Sequence, residues 1–146
     1  IESMEKEYSK SVFVNGINGG IMCYGDGSMD RPVALVQANV PPIKNWARDN
    51  GIDVSDIEAV LKNEDVCKMV LADLNREGKN GNLSRNEKLV AVVLISGNGS
   101  KTEFEMNSPW TPENGGLTAS NKLQRKPIML NMKEITDVLI DRGIKK

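Results

Sequence analysis

The chain contains no histidine among its 146 residues. That absence removes histidine-based acid–base catalysis, imidazole zinc sites and the side chain that most often changes charge near neutral pH. Cysteine is nearly as scarce: Cys23 and Cys67, each in an apolar setting, are the only two. Two thiols cannot build a four-cysteine site, and buried reduced thiols, as in a cytosolic protein, are the expectation. No metal site is expected. No apolar run approaches the ~20 residues of a membrane span, and no signal peptide is visible. Charge excess is slight, at a net −1, which argues against general attraction to nucleic acid or to a membrane surface. GxGxxG, P-loop, HExxH and GxSxG patterns are also missing. The residues alone therefore show no self-contained catalytic constellation, and there is no internal repeat or low-complexity segment.

What is present describes one ordinary globular domain, 39% hydrophobic and 27% charged. A chain of this length can bury roughly 70% of the surface its unfolded form exposes, enough for a real core. It opens IESMEKEY, with Ile1, Met4 and Tyr8 at helical spacing. This reads as entry partway along a helix, and the chain as a domain of something longer. Six Asn-Gly pairs divide the rest into short elements. Val12 to Val14 and Ile21 to Tyr24 are short β-branched or aromatic runs. After the turn GDGSMD, residues 31–39 pair back as an antiparallel hairpin. Pro41-Pro42 opens a helix through Trp46 that stops at Gly51. Ser55 and Glu58 have the spacing of a capping box before a helix with Ile57, Val60 and Leu61 on its apolar stripe. A further helix carries Val66, Met69, Val70 and Leu74 on one face and ends near Gly78. Ser84 with Glu87 has the spacing of another cap. LVAVVLIS, 89–96, is a continuous β-branched run and reads as a buried central strand. Ile128, Met132, Ile135 and Leu139 outline a last amphipathic helix, with Asn131 and Glu134 at its start. The pattern is an α+β domain: a small mixed sheet, made of an antiparallel hairpin plus a buried strand, flanked by helices.

One stretch stands apart: PWTPENGGLTASNKLQRKPI, Pro109 to Ile128. A turn-rich segment precedes Lys122, Arg125 and Lys126. Residues 113–121 hold two glycines and few apolar anchors, so a loosely held loop is expected. In order, Trp110, Thr111, Pro112, Glu113, Gly115, Leu117, Thr118, Lys122, Leu123, Arg125 and Lys126 match the last signature of the long-chain fatty acyl-CoA synthetases, members of the adenylate-forming (AMP-binding) superfamily. SVFVNGI followed by CYGDGSMDRPVALVQANV resembles, more loosely, the segment that opens that family's small C-terminal domain. The resemblance has departures. Gly116 stands where the family usually has leucine, Gln124 where it usually has a basic residue, and an extended GNGSKTEFEMNS leads into Trp110.

The resemblance implies that residues 1–146 form the C-terminal lid domain of a long-chain fatty acid–CoA ligase, without its large N-terminal AMP-binding domain and hinge. Its partners would be that N-terminal domain, a fatty acid and CoA, with ATP and Mg²⁺ used by the whole enzyme and none of these bound by the fragment, which is expected to be inactive alone. The implied compartment is the cytoplasm or the cytosolic face of an intracellular membrane. Lys122 would be the catalytic lysine carried into the site by domain rotation. Charge alone leaves it open between that role and a solvated surface lysine. Arg125 and Lys126 either lie near phosphate and orient the loop, or merely begin a charged helix. Trp110 reads as a packing anchor before a ligand platform, and Glu113, Gly115 and Thr118 as residues that shape the loop. A rival from another class is a non-enzymatic interaction module that presents the PENGG loop to a protein partner.

Overall fold

The computed structural model describes residues 2–16, 20–24, 32–83, 88–103, 105, 107–120, 122–124 and 127–128. The expected turn GDGSMD, the Ser84–Glu87 cap and the last amphipathic helix beyond Ile128 lie outside these residues.

Among the described residues, four helices and three strands follow in the order α1 (Glu2–Tyr8), β1 (Ile21–Tyr24), β2 (Val33–Gln37), α2 (Val40–Asp49), α3 (Ile57–Lys62), α4 (Glu64–Asn80) and β3 (Ala91–Ile95). β1 and β2 form the expected antiparallel pair, with Met22 opposite Leu35. β2 and β3 run parallel, Leu35 opposite Val93. Parallel neighbours need a long crossover, and α2, α3 and α4 supply it. The architecture is the α+β arrangement expected from the sequence.

The strand order corrects one expectation. It is β1-β2-β3, so β2 is central and β3 is an outer strand of the described sheet. A continuous apolar run reports burial on both faces, not position in the strand order. Side-chain alternation shows the two faces. Ile21, Cys23, Ala34, Val36, Val92 and Leu94 pack with the buried residues of the helices, including Tyr8, Ile43, Val60, Val66, Val70 and Leu74. Met22, Val33, Leu35, Ala91 and Ile95 point the other way and pack with Trp110, Leu117 and Ile128. The signature stretch is therefore the cover of the sheet's second face.

Two helix ends differ from the sequence reading. α3 is capped by Asp56, whose carboxylate accepts the Glu58 N–H at 3.1 Å. Ser55 instead donates its N–H to Asp53 Oδ1 at 2.9 Å. Aspartate is at least as good a cap as serine, and it sits one residue nearer the first turn. α4 runs through Gly78 to a C-cap at Gly81. Gly78 is there for packing: a Cβ on it would lie 2.7 Å from Tyr8 Cε1. The start of α4 is well made, since Asn63 Oδ1 accepts from both Asp65 N–H and Val66 N–H at 2.9 and 3.2 Å. Glu64 and Asp65 in its first turn suit the positive end of the helix dipole. α2 needs less help, because prolines in its first turn remove backbone donors that would otherwise want a cap.

Helix α1 is tied to the sheet by a buried acid. Glu5 Oε2 accepts the Cys23 N–H at 2.7 Å. Nearby, Ser11 Oγ donates to Asp73 Oδ2 at 2.6 Å, and Arg76 pairs with the other oxygen of the same carboxylate. Among the described residues no helix is long and apolar enough to cross a membrane.

Candidate functional site

The segment from Ser108 to Gln124 is built around Trp110, which is fully buried. Truncating a buried aromatic typically costs about 3–5 kcal/mol, so Trp110 is the apolar weight that holds the segment on the sheet. Its indole Nε1 has no hydrogen-bond partner among the described residues. An orphaned donor costs about 1–3 kcal/mol, less than the ring contributes, and the anchor remains net favourable. As the sequence suggested, this tryptophan is a packing residue.

Asn114 folds the turn that follows. Its Oδ1 accepts from Thr111 N–H at 3.1 Å and Gly116 N–H at 2.9 Å, and its Nδ2 donates to the Pro109 carbonyl at 2.7 Å. The Asn114 N–H in turn donates to Thr111 Oγ1 at 3.1 Å. One side chain thus satisfies donors and an acceptor on both sides of the turn, as asparagine in turns is suited to do. Gly115 takes φ +86, a left-handed conformation that favours glycine. Gly116 is a glycine for space: a Cβ would stand 2.9 Å from Trp110 Cβ and 3.0 Å from Trp110 Cα. Glu113 is exposed on the turn.

A short hairpin comes next, with Leu117 bridged to Leu123. Thr118 N–H donates to the Lys122 carbonyl at 2.7 Å, and the Lys122 N–H donates to Thr118 Oγ1 at 3.2 Å. Gln124 closes the base, its N–H reaching the Gly116 carbonyl at 2.9 Å and its Nε2 the Leu117 carbonyl at 3.1 Å. The loop expected from its glycines has few apolar anchors, but its described residues are joined by hydrogen bonds. Hydrogen bonds that are local but nearly complete, fastened to one buried ring, replace the missing apolar anchors.

Lys122 stands on the second arm of this hairpin, exposed, with its backbone fixed and no ion pair to its ammonium among the described residues. Trp110, Glu113, Gly115, Thr118 and Lys122 are thus brought into one loop. Arg125 and Lys126 lie outside the described residues. The extended GNGSKTEFEMNS is fastened to the same loop, since Thr111 Oγ1 donates to the Lys101 carbonyl at 2.6 Å. Sequence reading passed over Asn114, and also Gln37, a fully buried amide that donates to the Ser108 carbonyl at 3.0 Å. A signal existed for each: an asparagine before Gly-Gly, and one polar residue inside the apolar run VALVQA. No group of three or more potential metal ligands occurs among the described residues.

No family model matches the chain. Curated proteins do. Long-chain-fatty-acid–CoA ligase 1 of Saccharomyces cerevisiae is 31% identical over 144 residues, covering 95% of this chain and 18% of its own length. The peroxisomal long chain acyl-CoA synthetase 6 of Arabidopsis thaliana is 32% identical over 124 residues, covering 85% of this chain and 16% of that protein. The chain thus spans less than a fifth of the length of these relatives. Among solved structures, the A domain of carboxylic acid reductase from Segniliparus rugosus, in complex with AMP and a co-purified carboxylic acid, superposes with a TM-score of 0.67 at 19% identity, over 95% of this chain and 17% of that one. The adenylation domain of the carboxylate reductase from Mycobacterium chelonae gives 0.63 at 19% identity, over 94% and 17%. At that identity the likeness is one of fold. The sequence match says more: over 95% of its length the chain is similar to a long-chain fatty acid–CoA ligase, of which it spans 18%.

Proposed function

We propose that this chain is the C-terminal lid domain of an AMP-forming long-chain fatty acid–CoA ligase, and that Lys122 is the lysine it delivers for adenylation. The observation that carries the reading is the sequence match to long-chain fatty acid–CoA ligases over 95% of the chain. The whole enzyme uses ATP to activate a fatty acid and then passes the acyl group to CoA, with the N-terminal AMP-binding domain as this domain's partner. It works in the cytoplasm or on the cytosolic face of an intracellular membrane.

Adenylation brings a carboxylate oxygen against the α-phosphorus of ATP. A P–O bond forms, pyrophosphate leaves, and acyl-adenylate remains. Negative charge gathers as the two anions meet, and a positioned ammonium offsets it. Lysine suits this because its charge is compact and sits on a long stem, while the Thr118–Lys122 bonds hold the base of that stem. Domain rotation can then carry the group in and withdraw it. Arg125 and Lys126 follow in sequence as further positive charges toward phosphate. Mg²⁺ is used by the whole enzyme in this reading.

The test separates the half-reactions in the full-length enzyme. Lys122→Ala is expected to lower acyl-adenylate formation by about 10²–10³. Thioester formation from pre-made acyl-adenylate and CoA stays near wild type. Equal loss in both steps would mean structural damage, and undiminished adenylation would remove Lys122 from the catalytic list. By itself the chain is expected to show neither ATP–pyrophosphate exchange nor micromolar ATP affinity, and calorimetry checks the latter.

A further inference from the structure

The geometry points to Gln37 as the positioning residue that fixes the Lys122 hairpin on the sheet. The inference deepens the lid-domain reading and rests on it for its link to adenylation. Gln37 closes the central strand β2 and is fully buried. By strand alternation it lies on the face covered by Trp110, in line with Val33 and Leu35. Its backbone joins the 15–20 turn, donating to the Gly20 carbonyl and accepting from Asn15 N–H, each at 2.7 Å. Its side chain reaches across the fold instead. Nε2 donates to the carbonyl of Ser108 at 3.0 Å, a contact between residues 71 apart in sequence.

Ser108 is the entry to the loop, and is itself fully buried. Its N–H and Oγ donate to Glu105 and Glu103 carbonyls at 3.1 and 3.2 Å, which spends its donors on the preceding loop and leaves its carbonyl for Gln37. From there the hydrogen bonds run without a gap. Asn114 holds Pro109, Thr111 and Gly116 together, Gln124 closes on Gly116 and Leu117, and Thr118 holds Lys122.

The amide would gain little if stability were its only use. Among the described residues its Oε1 has no partner, and Trp110 Nε1, two residues beyond Ser108, has none either. An apolar side chain of similar length would bury the same volume and exchange one orphaned acceptor, Oε1, for another, the Ser108 carbonyl. What an apolar residue cannot do is specify where the Ser108 carbonyl sits. A buried polar contact that adds little stability while fixing one arrangement is a device for placement.

The experiment replaces Gln37 by Met, which keeps length and removes the amide. In the 146-residue chain, amide exchange at Leu117, Thr118 and Gln124 is expected to quicken about tenfold, the scale of one lost buried hydrogen bond. Amides of α4 should keep their protection. Unchanged exchange at the three loop amides, or equal acceleration throughout the chain, overturns the proposal. If Gln37→Met does not fold, Gln37→Asn carries the same test, because its amide is one methylene too short to reach Ser108. In the full-length enzyme Gln37→Met should slow adenylation while thioester formation is kept, without lowering the affinity for ATP. Faster loop exchange with adenylation intact, in an enzyme that Lys122→Ala disables, overturns the link from Gln37 to the lysine. Adenylation that survives Lys122→Ala overturns the lysine reading instead, and the exchange result still judges Gln37 as the anchor of the hairpin.

Discussion

Thr118 holds the backbone of Lys122 from two directions, its N–H on the Lys122 carbonyl at 2.7 Å and its hydroxyl oxygen on the Lys122 N–H at 3.2 Å. The same hydroxyl lies 3.1 Å from Ser120 Oγ. A lysine whose side chain is free and whose backbone is fixed is what delivery of a charge to a defined point requires.

Thr118→Val separates these bonds, because it keeps the N–H and the branched shape and loses the hydroxyl. The Lys122 amide should exchange faster while the Thr118 amide stays protected, and stability should fall by about 0.5–1.5 kcal/mol. Thr118→Ser should restore both. Equal protection of Lys122 in the valine and wild-type chains would show that the hydroxyl does not hold it.

The neighbouring glycines of the loop should fail for different reasons. Gly116→Ala forces a Cβ to within 3.0 Å of the Trp110 backbone and 3.2 Å of Asn114 Oδ1. Backbone cannot retreat as a side chain end can, so an overpacking cost of about 1–3 kcal/mol is expected. Gly115 has open space around it but a φ of +86. There the cost of alanine is conformational, about 1–2 kcal/mol, and asparagine should recover part of it. Urea denaturation of the four chains, wild type included, checks the pattern, and asparagine no better than alanine at 115 would refute the assigned cause.

At Gly78 two effects oppose each other. Inside a helix, Gly→Ala ordinarily gains up to about 1 kcal/mol from propensity. Here the new Cβ meets Tyr8 Cε1 at 2.7 Å and Leu83 Cδ1 at 3.1 Å, and Tyr8 is fully buried. Overpacking of about 1–3 kcal/mol should win, so Gly78→Ala lowers the urea midpoint. A raised midpoint would show that the α1–α4 contact yields.

Asp53 gives the acid-side prediction. The Ser55 N–H, and after it the Ser55 hydroxyl, hold the Asp53 carboxyl below its ordinary 3.8. A depressed folded-state value means the contribution is fully present above 3.8 and fades as pH falls through the folded value. An NMR titration should place the Asp53 midpoint below 3.8. Ser55→Ala should return it only partway, since the backbone donor remains. A midpoint at or above the ordinary value would refute the turn.

Much of this was legible because it is local. The proline start of α2, the stripe Val66, Val70 and Leu74, and the hairpin of β1 and β2 all depend on residues a few positions apart, and near neighbours speak directly through propensity and period. The signature stretch likewise pointed to its family through its own order of residues. What neighbours cannot encode is which surface each element meets. Gly78 reads as a helix stop until the Tyr8 ring is seen against it, and the 89–96 run reads as central until β2 is found between β1 and β3. The turn 113–116 reads as loose until Asn114 has partners. Gln37 reads as an interruption in a strand until Ser108, 71 residues away, turns its carbonyl toward the amide. Burial and a long-range hydrogen bond exist only once distant segments share a surface, and so tertiary structure alone decided how the Lys122 hairpin is held.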